Sequence, residues 1–163
     1  MNKLQTIQFL KNNHQKLEKV INRLEENQMV EDIISIKWTV KDILAHISAW
    51  NLELIKAIDD LLNNQEPWFT NEEELTEAEF NELETEKRKA WSLNQVLEEW
   101  QSSFDELISK IESLSSTEWD YQTAFKWGGE MPVSVNSLFE YTYKGEGHEG
   151  GHAKQIKDHY RKK

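Results

Sequence analysis

The sequence predicts an all-α protein, an antiparallel four-helix bundle, on three observations. Four segments repeat apolar residues at the three- and four-residue steps of a helix face. Only 6 Gly and 2 Pro interrupt 163 residues, few breakers for that length. No stretch reads convincingly as a strand. Four amphipathic segments bury their stripes most simply against one another, and residues 1–163 are expected to form a single domain.

The first helix is expected over residues 3–26, with Leu4, Ile7, Leu10, Leu17, Ile21 and Leu24 on one face. A connector over 28–38 leads to Thr39, a good N-cap, with Asp42 three residues on in the manner of a capping box. The second helix runs to about Leu62 on a stripe of Val40, Ile43, Leu44, Ile47, Trp50, Leu54, Ile58 and Leu61. Residues 63–75, with Pro67, break the pattern. A short, highly charged helix follows over about 76–90, between the second and third long helices, packing only through Leu75, Phe80 and Leu83. Ser92 caps the third long helix, whose seam is Leu93, Leu97, Trp100, Phe104, Leu107, Ile111 and Leu114. The connector 115–134 holds Trp119, Tyr121, Trp127, Gly128, Gly129 and Pro132; connectors of that length in a small domain are often functional, a lid being one role. The fourth helix is expected to start near Val135 to Ser137 and to run unbroken to Tyr160 through Leu138, Tyr141, Gly145, His148, His152, Gln155 and Ile156. Its four glycines, Gly145, Gly147, Gly150 and Gly151, each oppose helix by about 1 kcal/mol relative to Ala, so close packing must compensate for them.

Composition narrows the function. Lys and Arg total 19 against 30 Asp and Glu, a net charge of −11, which argues against nucleic acid and against an anionic membrane surface as partners. The absence of Cys excludes disulfides, thiolate nucleophiles and Cys-ligated metals. No segment approaches 18 apolar residues, and the opening residues lack the apolar run of a secretory signal. A cytoplasmic location is the default expectation. Seven Trp, 4 Tyr and 6 Phe supply apolar area that the modest 37% hydrophobic content does not suggest.

The chemistry is concentrated in histidines. In His148-Glu149-Gly150-Gly151-His152 the two imidazoles stand at i and i+4, on one helix face, where both can reach one metal ion. The motif matches H-E-x-x-H, but the downstream third ligand of that zinc-protease class is missing: Gln155 and Asp158 stand where Gly and His are needed, and His159 lies nearly two turns from His152. A third ligand must come from another helix, and the candidates are His14 and His46. His46 lies beside the apolar stripe of the second helix, where a buried imidazole needs a metal or a hydrogen bond. His14, at a seam position between Leu10 and Leu17, suits a core or solvent-edge role, or the wall of a pocket. Glu149 points about 100° away from His148 around the helix; it can serve as a base, as a hydrogen-bond partner of an imidazole, or face solvent. Gln155, three residues beyond His152, can hold a ligand or substrate or make a helix–helix contact; Glu149 and Gln155 are the candidate catalytic residues. Trp50, Trp127 and Tyr141 either wall a pocket or fill the core.

Residues Trp38-Thr39-Val40-Lys41-Asp42-Ile43-Leu44-Ala45-His46 resemble the second-helix signature of the DinB/YfiT-like superfamily, and His148-x-x-x-His152-x-x-Gln155-Ile156 resembles its fourth-helix signature. Phe80-Asn81-Glu82 and Trp91-Ser92-Leu93 are similar in style to its ClbS/DfsB-like branch. The resemblance implies an up-down-down-up bundle, often a homodimer. It also implies a divalent metal, usually zinc or nickel, held by His46, His148 and His152 with a coordination position left open. Implied activities are thiol-dependent transfer or isomerisation with a low-molecular-weight thiol as co-substrate, and protective hydrolysis of a reactive small molecule. Three functions follow in order of expectation: a metal-dependent enzyme acting on a small molecule, a protein that binds and sequesters one, and a structural helical interaction module.

Overall fold

The computed structural model describes residues 1–140 and 146–162. Helix α1 (Lys3–Ile21) starts at Asn2, whose side chain accepts from the Gln5 N–H while the Gln5 side chain accepts from the Asn2 N–H. It buries Ile7, Leu17 and Ile21, but Leu4, expected on the same stripe, is 74% exposed. The helix also ends five residues earlier than its pattern suggests. The Arg23 and Leu24 N–H groups switch to the carbonyls three residues back, on Val20 and Ile21, which tightens and closes the last turn. Glu25 then opens a separate short helix, α2 (Glu26–Glu31).

Helix α3 (Val40–Leu62) has the expected bounds, and the Thr39–Asp42 capping box is formed. The charged helix is α4 (Glu77–Lys87). It does not pack through Leu83, which is 54% exposed. Instead Arg88, just past its end, donates from Nε and Nη2 to the Glu99 carboxylate and from Nη1 to Glu84. A bidentate ion pair therefore docks a helix that has almost no apolar face. Helix α5 (Leu93–Ser113) is capped by Ser92, and α6 (Ser116–Trp119) is a single turn.

Two further departures concern the last third of the chain. Residues Gln122–Lys126 (β1) and Pro132–Ser134 (β2) form an antiparallel pair, Gln122 opposite Ser134 and Lys126 opposite Pro132. Strands of five and three residues are too short for their alternation to stand out, although Gly128-Gly129 between them is a turn signal. The unbroken fourth helix is not formed either. After α7 (Ser137–Glu140), helix α8 (His148–Arg161) begins afresh. Glu146 and Gly147 are non-helical, and Gly147 has φ +71°, in the left-handed region that glycine enters at little cost. Tyr141 and Gly145, expected on the fourth-helix stripe, lie outside the described residues.

Side-chain pairs fix the helix directions. Asn51 meets Ser103 and Asp59 meets Lys110, so α3 and α5 run parallel. Gly147 lies against Phe9 and Gly150 against Asn13, so α1 and α8 run parallel. Lys3 donates to the Leu114 carbonyl and His14 contacts Gln101, so α1 and α5 oppose each other. With α1 packed on α5 and α8, and α3 packed on α5 and α8, the order is up-down-down-up. The core divides into two apolar clusters. One gathers Ile58, Leu61, Leu107, Ile111 and Phe139, and the other Leu17, Ile43, Leu44, Val96 and Ile156.

Candidate metal centre

His46 stands on α3 between buried Ala45 and Ile47, one turn before Trp50. His148 and His152 are the first and fifth residues of α8, so one helix face carries both. Packing of α3 on α8 brings one nitrogen from each of the three rings to within 4.8 Å of the others. The Nε2 atoms of His46 and His148 are 2.8 Å apart. Two neutral imidazoles can share one proton across such a gap; two lone pairs facing each other there can instead share a cation. Tetrahedral zinc bound by imidazoles sets ligand nitrogens about 3.3 Å apart, a spacing that these separations bracket. The ligand type suits zinc and nickel alike.

The electrostatics suit metal binding, which needs unprotonated rings. Burial, and then the nearby His152, push His46 down to about 3, against a smaller opposing effect of the Asn81 side chain. Burial, with His46 and His152 adding to it, holds His148 well below its ordinary value. Burial also lowers His152, opposed by Gln155 and by the charge of Glu149. The Gln155 Oε1 lies 3.0 Å from His152 Nδ1. An N–H at Nδ1 donating to it leaves the Nε2 lone pair for an ion, the orienting role of an outer-shell partner. His46 Nδ1 is buried without a hydrogen-bond partner among the described residues.

Glu149 is not solvent-facing. At 8% exposed it is buried, and its carboxylate accepts from Trp100 Nε1 at 2.8 Å and lies 2.9 Å from His14 Nδ1. His14 Nε2 lies 3.2 Å from Gln101 Oε1, so both ring nitrogens face acceptors. The His14 ring stacks on Phe104, with centroids 3.8 Å apart, and tilts against Trp100. Burial alone would lower the His14 pKa, but the hydrogen bond and charge of Glu149, with Gln101 and Glu18, outweigh it and raise the pKa. His14 is thus a partner of Glu149, whose carboxylate favours its charged form, and lies outside the group of three rings. Its seam position was the one sequence signal for this pair.

The three imidazoles form part of the wall of a cavity of about 430 Å³. Trp50 and Trp127, for which wall and core were both open readings, line it while packing on the core, together with Phe69, Phe104, Leu107 and Leu138. Tyr141 falls outside the described residues. Trp127 follows β1 and donates from its ring N–H to Ser137 Oγ at 3.0 Å, so the connector that reads as a loop in sequence supplies one side of the cavity. Asn13, Asn51 and Asn81 add amide groups.

The family model of the DinB superfamily matches residues 10–156. The chain belongs to the DinB superfamily. Solved structures share this DinB-type bundle. A protein of Streptococcus pneumoniae is 15% identical with a TM-score of 0.74, covering 99% of this chain and 91% of that one. An uncharacterised protein of Clostridium difficile 630 is 16% identical with a TM-score of 0.74, covering 99% and 96%. A mycothiol-dependent maleylpyruvate isomerase is 12% identical with a TM-score of 0.74, covering 96% of this chain and 61% of that one. No curated protein matches the sequence. At these identities the likeness establishes the DinB fold. No described helix is long and apolar enough to cross a membrane.

Proposed function

We propose that this DinB-superfamily protein is a metal-dependent enzyme acting on a reactive small molecule, by thiol-dependent transfer or by hydrolysis. The observation that carries the reading is the convergence of three neutral imidazoles on the wall of an apolar cavity. The thiol-dependent neighbour supports the transfer branch. His46, His148 and His152 are the ligands, and zinc or nickel is the ion. A divalent ion held there supplies Lewis acidity and lowers the pKa of a thiol or water bound at its open position. Gln155 fixes the tautomer of His152. Glu149, engaged by His14 and Trp100, holds the first turn of α8 rather than moving a proton. The aromatic walls exclude water and seat the substrate. A homodimer and a cytoplasmic location belong to the same proposal.

Metal analysis of the purified full chain tests it. One divalent ion per chain is expected, with at least 100-fold weaker retention in His46→Ala on equilibrium dialysis. Turnover of electrophiles is then assayed with and without low-molecular-weight thiols. A chain that retains no divalent ion defeats the reading. The cavity also suits a protein that retains such a molecule unchanged, and stoichiometric binding without product identifies that case.

A further inference from the structure

Asn13 is an unusual member of the cavity wall. It is 4% exposed, and its side chain makes no hydrogen bond with any described residue, whereas buried amides are almost always paired. The other two amides are in use: Asn51 donates to Ser103, and Asn81 accepts from the Trp50 ring N–H. Packing holds Asn13 in place. A Cβ at Gly150 would come within 2.5 Å of its Oδ1, and one at Gly147 within 2.8 Å of its Nδ2. The glycines of α8 therefore admit a polar group beside the turn that carries His148.

Charge supplies the second observation. Among the described residues, the cavity wall includes the carboxylates of Glu77 and Glu149 and no Lys or Arg. Glu149 is matched by His14. The side chain of Glu77 has no cationic partner among the described residues. An anionic group on the body of a substrate would meet apolar rings and a carboxylate. Size supplies the third. At about 30 Å³ per water molecule, 430 Å³ holds roughly fourteen waters. That is room for a ring system and far more than a two- or three-carbon substrate fills. Trp50, Phe69 and Trp127 present aromatic surface to it.

We propose that the cavity wall outside the three-imidazole group selects an uncharged, ring-bearing molecule with a carbonyl or carboxamide group, that Asn13 is its hydrogen-bonding partner, and that in the ion-free chain a carboxylate in the place of that group is rejected. An amide side chain donates and accepts, so it matches a carboxamide and cannot neutralise an anion. Asn13 stands in the cavity wall, where a ligand group can replace the water that its amide otherwise meets. This rests on the reading of the cavity as the substrate site, but not on the metal.

The test is calorimetric titration of the chelated full chain, its helix content checked by circular dichroism, with 2-naphthamide and 2-naphthoate. They share one skeleton and differ in charge. The amide is expected to bind at least ten-fold more tightly. Asn13→Leu is expected to weaken amide binding at least ten-fold while the thermal midpoint stays level or rises, a combination that a purely structural Asn13 would not give. Asn13→Asp, of the same outline, is expected to weaken binding of both compounds and covers the case in which the leucine variant does not fold. Equal or tighter binding of the carboxylate, no binding of either compound, or full amide affinity in the Asn13 variants overturns the proposal. Metal content is measured separately. Amide binding as expected in a chain that retains no ion defeats the metal reading alone, and a metal-binding chain without the amide preference defeats this proposal alone.

Discussion

On one side of the first turn of α8, His46, His148 and His152 are kept neutral; on another side of the same turn, His14 is held towards its charged form by Glu149. All four rings are buried or largely so, and burial pushes each of them the same way. What separates the two regions is a carboxylate. His14 has one at 2.9 Å, whereas each ring of the trio has chiefly other imidazoles as neighbours. Residue type and burial therefore do not decide what a histidine does here. The sign of the nearest charge does. Because His148 and Glu149 are consecutive, about 100° of helix rotation is enough to keep a metal-ready site apart from an ion pair.

Breaking the ion pair has the largest expected effect. Glu149→Leu removes the shared acceptor of His14 Nδ1 and Trp100 Nε1, leaves both buried donors unpaired, and is expected to cost about 3–5 kcal/mol in urea unfolding. The double variant His14→Leu/Glu149→Leu is expected to recover at least half of that loss. If it is less stable than the single variant, the pair is not held together by charge.

The trio is probed by pH in the chelated protein. The folded value of His46, about 3, lies below its unfolded value near 6.5, so the unfolded chain takes up protons first as the solution is acidified. Stability is therefore complete at neutral pH and falls as pH drops from about 6.5 towards 3. Each pH unit costs about 1.4 kcal/mol, or about 2–3 kcal/mol by pH 4.5 from His46 alone. His46→Leu should flatten this acid limb. The contribution of His14 runs the other way: its pKa is raised on folding, so it is complete below pH 6.5 and lost as pH rises through the folded value. Urea midpoints measured across pH 4.5 to 8 in the two variants separate these limbs.

Gln155→Leu sharpens the trio alone. It removes the partner that orients His152 and is expected to weaken metal retention 10- to 100-fold on equilibrium dialysis, with little change in the pH profile set by His14. The smallest effects come from the glycines that shape the turn. Gly147→Ala combines φ +71° with a Cβ 2.7 Å from the Phe9 ring and is expected to cost about 1–3 kcal/mol. Gly151→Ala meets nothing within 4 Å and is expected to add up to about 1 kcal/mol. Thermal unfolding of the two variants gives opposite shifts.

The long helices were legible because their signals are local and redundant: the stripe of Val40 to Leu61 and the Thr39 cap define α3 without reference to the rest of the chain. The grouping of three imidazoles was legible through the spacing of His148 and His152, with His46 added by its place beside the α3 stripe and by the signature around Trp38. A hydrogen bond from an imidazole was among the roles expected of Glu149, but its partners were not legible, because His14 and Trp100 are 135 and 49 residues away in sequence. The break before α8 was hidden because Gly147 fits either a compensated helix or a left-handed bend, and only its contact with Phe9 and Asn13 decides between them. The hairpin was too short to show a period of two. Asn13 carries no sequence signal, since its distinction is to make no hydrogen bond with any described residue.

The parallel pairing of α1 with α8 has a consequence for how the protein is made. His148 emerges from the ribosome 102 residues after His46; at about 5–20 residues per second that is a delay of several seconds to some twenty seconds. Until then the nascent polypeptide offers only His46 of the three grouped rings. An ion held as proposed would therefore be taken up only once the last helix is released, by the finished cage and not by the growing chain.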